Sequence, residues 1–301
     1  MRITSNMMAA QQMAGLQSNM AALQKAQEQV TLGKRLTAAS DDPAAAMGVM
    51  KSGSSLRALE QYRTNVKRAS SRVDVEDSVL QQLGDLVTRV KQLGISQSGD
   101  TATAQTRAAA NTEVTQIFQQ IVQLGNTKFG SEYLFGGEQS TTPPFAATGS
   151  GATLDFTSTN PTGQRSIAIA DGQTAAPTHD GKQVFLDTGV LDAVRDMSRA
   201  LGPNAGAVPS ILSTALTKLD TAFSSVQTVV GDTGAMANRL SSVGENLTAL
   251  NTNLTTFKSN LEDIDIETAM TELTNRQLAY QAALLATSKV TGGPSLVDYL
   301  K

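Results

Sequence analysis

The sequence predicts a mainly α protein with a β insertion: a long, coiled-coil-like helical rod formed by both chain ends, plus a small central antiparallel β domain. Three observations carry this expectation. Apolar residues recur at alternating three- and four-residue spacing from Met13 to Leu124 and again from Leu240 to Leu284, the pattern of helices packed along a seam. Between about 125 and 189 the chain changes character, and Gly-Gly, Pro-Pro, Thr-Gly, Asn-Pro and Asp-Gly pairs punctuate short β-prone runs, as in antiparallel hairpins. Finally, only 17% of residues are charged and 4% aromatic. Ala, Ser, Thr, Gln and Asn fill the difference, which suits long helices packed through small side chains.

Taken in order, the first seam is Met13, Leu16, Met20, Leu23 and Val30, with Gln27 interposed. Gly33 after Leu32 is a C-terminal cap, and Ser40-Asp41-Asp42-Pro43 is turn chemistry that starts a new helix. The second run is Leu59, Tyr62, Val66, Ala69, Val73, Glu76, Leu80, Leu83, Val87 and Val90, in which only Glu76 breaks the apolar pattern. Val75, Val79, Leu86 and Leu93 widen its buried face, and Gly94 and Gly99 bracket its end. Val114, Ile117, Ile121 and Leu124 form a third, shorter run. Strands are expected near Glu132–Phe135, Thr153–Phe156, Arg165–Ile169 and Val184–Leu186, followed by a short helix from Leu191 to Leu201. The last seam runs through Leu240, Leu247, Leu254, Phe257 and Ile264. It slips phase at Asp263-Ile264-Asp265 and resumes as Ile266, Met270, Leu273, Gln277, Tyr280 and Leu284, which reads as a stutter in one continuous helix. At 1.5 Å per residue, segments 56–94 and 236–290 would be about 60 and about 80 Å long. The expected division is an N-terminal assembly helix (1–40), a first rod segment (41–130), a β-rich outer domain (131–190), a second rod segment (191–262) and a C-terminal assembly helix (263–301).

Composition also excludes functions. There is no Cys and one His, His179, so disulfide frameworks, thiolate metal sites, cysteine nucleophiles and HExxH zinc sites are ruled out. A net charge of -3 gives no electrostatic footprint for nucleic acid. No apolar run reaches membrane-spanning length, so no membrane insertion is expected, and no continuous apolar core marks a cleavable secretory signal. Asp41-Asp42 reads as a turn rather than a metal or acid/base pair. Asp263, Asp265 and Glu267 read as a solvated helix face, and the stripe Arg63, Lys67, Arg68, Arg72 as partners for acidic residues of a neighbouring helix or subunit. No enzyme activity, catalytic residue, cofactor or metal is expected.

The informative feature lies at the ends. Residues 1–24 carry one charge, Arg2, and residues 268–291 carry only Glu272, Arg276 and Lys289. A helix lying on a solvated surface normally shows charges on its outer face. A seam with a neutral, small-residue outer face instead predicts burial on several sides by other copies of the chain, with termini that order fully only against neighbours. The expected assembly interface is Ile3, Met7, Met13, Leu16, Met20, Leu23 and Val30 at one end, and Ile266, Met270, Leu273, Tyr280, Leu284, Leu296 and Leu300 at the other.

Several segments then resemble the flagellin superfamily, and within it the hook–filament junction proteins. They are Met1-Arg2-Ile3-Thr4-Ser5-Asn6-Met7-Met8; Leu32-Gly33-Lys34-Arg35-Leu36 with Ser40-Asp41-Asp42-Pro43-Ala44-Ala45; Tyr133-Leu134-Phe135-Gly136-Gly137 with Pro143-Pro144-Phe145; Asp171-Gly172 with Gly181-Lys182-Gln183-Val184-Phe185; Asp263-Ile264-Asp265-Ile266-Glu267-Thr268-Ala269; Tyr280-Gln281-Ala282-Ala283-Leu284; and Ser295-Leu296-Val297-Asp298-Tyr299-Leu300. The Pro of the Asp-Asp-Pro turn is the form of the junction proteins, where flagellins tend to have Ala. The resemblance implies a structural adaptor exported unfolded by the flagellar type III apparatus, with an uncleaved N-terminal signal and a cytoplasmic chaperone on its C-terminal region. It implies an extracellular location at the hook–filament junction and self-assembly into a ring. The partners would be the first junction protein and flagellin. The terminal helices would pair and form an inner tube, with helices 56–128 and 210–260 outside them and the β module outermost. Two alternatives stand beside it: a short flagellin forming the filament itself, and a soluble chemoreceptor-like signalling protein. The second predicts an unbroken helical hairpin, against which the β-rich stretch at 130–190 speaks.

Overall fold

The computed structural model describes residues 5–99, 102–202 and 208–291. The elements run α1 (Ser5–Leu32), α2 (Pro43–Ser96), α3 (Ala104–Gly125), β1 (Lys128–Phe129), β2 (Glu132–Tyr133), β3 (Phe145–Thr148), β4 (Asp155–Ser158), β5 (Ile167–Ala170), β6 (Gln173–Ala175), α4 (Val190–Leu201), α5 (Val208–Glu262) and α6 (Ile266–Thr291). The fold is mainly α with a central antiparallel β insertion, as expected. The chain divides into a terminal unit (Met1–Ala58 with Leu250–Lys301) and a central unit (Leu59–Ala249), and α2 and α5 contribute residues to both.

The central unit holds the hydrophobic core. Leu80, Leu83, Val87 and Val90 of α2 are buried with Val114, Phe118 and Ile121 of α3, Val194, Met197 and Leu201 of α4, and Leu212, Leu219 and Val226 of α5. Full burial of each such side chain is worth about 1.5–3 kcal/mol. The insertion is three separate antiparallel two-stranded ladders, β1–β2, β3–β4 and β5–β6, rather than one sheet. Its anchors are aromatic: Phe135 and Phe145 each lie 5.2 Å from Phe185 between ring centroids. The Asn126 amide just past α3 donates to Phe145 O at 2.7 Å and accepts from Phe145 N at 3.1 Å, acting as a third strand partner.

Three expectations need correction. Val184–Leu186 is not a strand but part of a single wide helical turn, Lys182–Leu186. Val184 and Phe185 are buried there, and the Asp187 amide bonds back to Lys182 O at 2.8 Å, satisfying the backbone locally. The phase slip is not a stutter inside one helix. Helix α5 ends at Glu262 and α6 starts at Ile266, because Asp265 accepts from the Glu267 amide at 3.0 Å and so caps a new helix. Asp263, Asp265 and Glu267 are exposed, as a solvated face requires, but the two aspartates lie in the turn between the helices rather than on a helix. Glu76, the odd residue of the α2 seam, is fully buried, and His179 packs on it from a loop 103 positions away.

Candidate assembly interface

Within the terminal unit, two turns are tied together. Gly33 ends α1 with φ +67°, in the left-handed region that favours glycine. From there Gly33 O accepts from Ile264 N at 3.1 Å, and Arg35 N donates to Glu262 O at 2.7 Å. Lys34 forms an ion pair with Glu262, and the Arg35 guanidinium donates to Leu261 O at 2.9 Å. The α1–α2 connection and the α5–α6 break are thus one joint. The Lys34 ammonium beside Glu262 holds that carboxyl below the usual carboxylate range, and the Lys34 pKa rises in return.

The Asp-Asp-Pro turn closes the joint on the other side. Asp41 accepts from Lys25 Nζ at 2.5 Å and from the Ala38 and Thr37 amides at 3.1 and 3.3 Å. Led by the bond to Lys25, these contacts lower the Asp41 pKa to about 2. Asp42 Oδ1 accepts from the Ala45 amide at 3.0 Å, which caps α2 and lowers its pKa as well. Pro43 occupies the first helical position, where no N–H is needed.

From this joint α1 and α6 lie along each other. Small side chains make the approach possible: among the described residues of the two helices only Ala26 and Ala269 are buried. Leu16, Leu23, Val30, Leu273 and Tyr280 face the contact half-buried, whereas Met7, Met13, Met20, Ile266, Met270 and Leu284 are exposed. The predicted seam therefore splits into one set between the helices and another set left uncovered. Ile3, Leu296 and Leu300 lie outside the described residues.

The uncovered set is larger than the sequence reading gave. Met47 and Met50 at the start of α2 are 69% and 73% exposed, Leu278 and Leu285 of α6 are 59% and 65% exposed, and Leu250 and Phe257 of α5 join them. Of all large exposed hydrophobics among the described residues, only Ile95 and Ile211 belong to the central unit. Leu278 and Leu285 stand seven apart, a second helical stripe legible in sequence but masked by the stronger seam beside it. Charge does little to break this surface, because Arg276 pairs with Glu272 one turn away at 2.7 Å and Lys25 is taken by Asp41. Among the described residues no group of three His, Asp or Glu could hold a metal ion, and no helix is long and apolar enough to cross a membrane.

Helices from both chain ends paired in one unit, in a chain that carries a β insertion in its other unit, are the features of a flagellin-like protein. Two family models match: the bacterial flagellin N-terminal helical region over residues 3–140 and the bacterial flagellin C-terminal helical region over residues 216–300. The chain belongs to the flagellin superfamily. Within it, the chain is similar to flagellar hook-associated protein 3 of Salmonella typhimurium strain LT2, with 29% identity over 188 residues, 62% of this chain and 57% of that protein. The protein of the same name from Escherichia coli K12 is 31% identical over 147 residues, 48% of this chain and 46% of its own length. The chain thus spans about half the length of the curated relatives it matches. In fold it resembles the flagellar junction protein FlgL from Legionella pneumophila, with a TM-score of 0.59 at 13% identity, covering 72% of this chain and all of that one.

Proposed function

We propose that the chain is a structural adaptor at the hook–filament junction of the bacterial flagellum. It joins the first hook-associated protein to flagellin by assembling into a ring through its terminal helices. The observation that carries this reading is the concentration of uncovered large apolar side chains on the terminal unit, while the central unit buries its own. Monomeric proteins rarely leave such patches open, and their presence marks a protein contact. The similarity to hook-associated protein 3 supports the junction as its place. On this reading the chain is secreted by the flagellar type III apparatus without a cleaved signal, and a cytoplasmic chaperone holds the C-terminal region until export. The role is mechanical and needs neither catalysis nor cofactor.

Deleting the gene and imaging hook tips by electron microscopy tests it. The expected result is bare hooks and flagellin monomers in the medium. A normal filament on the deletion strain, or this chain as the dominant component of sheared flagella, overturns the adaptor reading, the latter in favour of a filament subunit.

A further inference from the structure

Glu76 points into the interior of the central unit and is 0% exposed. A buried carboxylate needs donors, and the loop at 176–181 supplies them. The His179 amide donates to both oxygens, at 3.1 and 3.3 Å, and the ring Nδ1 lies 2.8 Å from Oε1. The loop is held at this point to α2. On its other side, Pro177 and His179 face Asp232, Met236 and Arg239 of α5 across a groove of about 390 Å³.

We propose that Glu76 and His179 form a proton-operated latch, in which the protonated imidazole clamps the 176–181 loop to α2 and deprotonation frees the loop and opens the groove beside it. A charged donor adds to its hydrogen bond a Coulomb attraction for the carboxylate that a neutral donor lacks. Loss of the proton leaves the buried Glu76 charge with neutral donors alone. The surroundings favour the charged imidazole: Glu76 foremost, through its hydrogen bond, with Asp232 from α5 and Asp180 from the loop adding to it. The other charges near the pair are Arg239, on the far wall of the groove, and Arg72, one turn before Glu76 and tied to Glu132 at 3.4 Å. The Glu76 hydrogen bond and the Glu76, Asp232 and Asp180 charges outweigh the opposing effect of burial and raise the His179 pKa above its ordinary 6.5. The latch therefore contributes fully below about pH 6.5 and is lost as pH rises through the higher folded-state value. His179 is the sole histidine and the chain has no cysteine, so beside the α-amino group no other side chain ordinarily titrates in this range. The latch does not depend on the flagellar reading.

The single imidazole makes a direct test possible in the full-length protein. Proton NMR should give a His179 midpoint above 6.5 that falls in Glu76→Gln. Amide exchange, corrected for its intrinsic pH dependence, should show loop 176–181 losing protection by about tenfold for each unit of pKa shift, while α3 stays protected. A wild-type midpoint at or below 6.5, or loop protection indifferent to pH, overturns the latch. So does an unchanged pH profile in Glu76→Gln. Should that variant fail to fold, His179→Gln keeps the backbone donor and removes the titration. It should give a pH-flat loop, and a pH-dependent one refutes the proposal.

Discussion

Asn126 shows how one side chain can attach a β ladder to a helix. Its amide satisfies both backbone groups of Phe145, whose ring is buried against Phe185. Asn126→Ala leaves that N–H and C=O unpaired in a poorly solvated position, and we expect a loss of about 1–3 kcal/mol in chemical denaturation of the central unit. An unchanged transition would show that water replaces the amide at no cost. Residue roles of this local kind were partly legible in the sequence: Asp41, Asp42 and Pro43 announce a turn because the chemistry of capping acts over three or four positions. The Glu76–His179 pair was not legible, since its partners are 103 positions apart. The sequence showed only that Glu76 interrupts a seam.

Helices α1 and α6 present the opposite balance from α2–α5. Their mutual contact buries only alanines completely, so it offers little of the roughly 25 cal/mol per Å² that apolar burial supplies against the entropy of ordering the chain. In dilute solution these two helices should open with a free energy near ~0 kcal/mol, whereas α3 and the buried part of α2 should open only with global unfolding. Limited proteolysis checks this: early cuts are expected within 5–32 and 266–291, and a resistant core from about 59 to 249. Protease resistance of the ends in a verified monomer would contradict it. At this scale the seams were readable because heptad spacing survives in composition. The break at Asp263–Asp265 was not, because a phase slip looks the same whether the helix continues or is recapped. Only the Asp265 cap and the Gly33–Ile264 bond decide it. Turn pairs likewise located the β insertion, but could not divide it into three ladders or show that Val184–Leu186 coils.

At the scale of the whole molecule, the large apolar residues left exposed on the terminal unit include Met7, Met13, Met20, Ile266, Met270 and Leu284 of the predicted seams. Near-absence of charge in the terminal helices predicts burial by other copies, yet one-dimensional spacing could not tell which seam residues face α1 or α6 and which stay uncovered. The uncovered ones can now be tested apart from folding. Combining Met13→Ser, Met20→Ser, Leu278→Ser and Leu285→Ser should abolish self-association, read by analytical ultracentrifugation and by loss of motility. Each exposed site should cost the monomer no more than ~0.5 kcal/mol. Retained assembly would remove these faces from the interface. The joint between Gly33 and Glu262 carries one more implication, and it concerns time. The helix that α1 packs on, α6, is encoded more than two hundred codons downstream, so at ~5–20 residues per second the ribosome needs tens of seconds to deliver it. Throughout that interval the first helix is a nearly uncharged segment without the helix it pairs with, available to any factor that must catch the nascent chain before it closes.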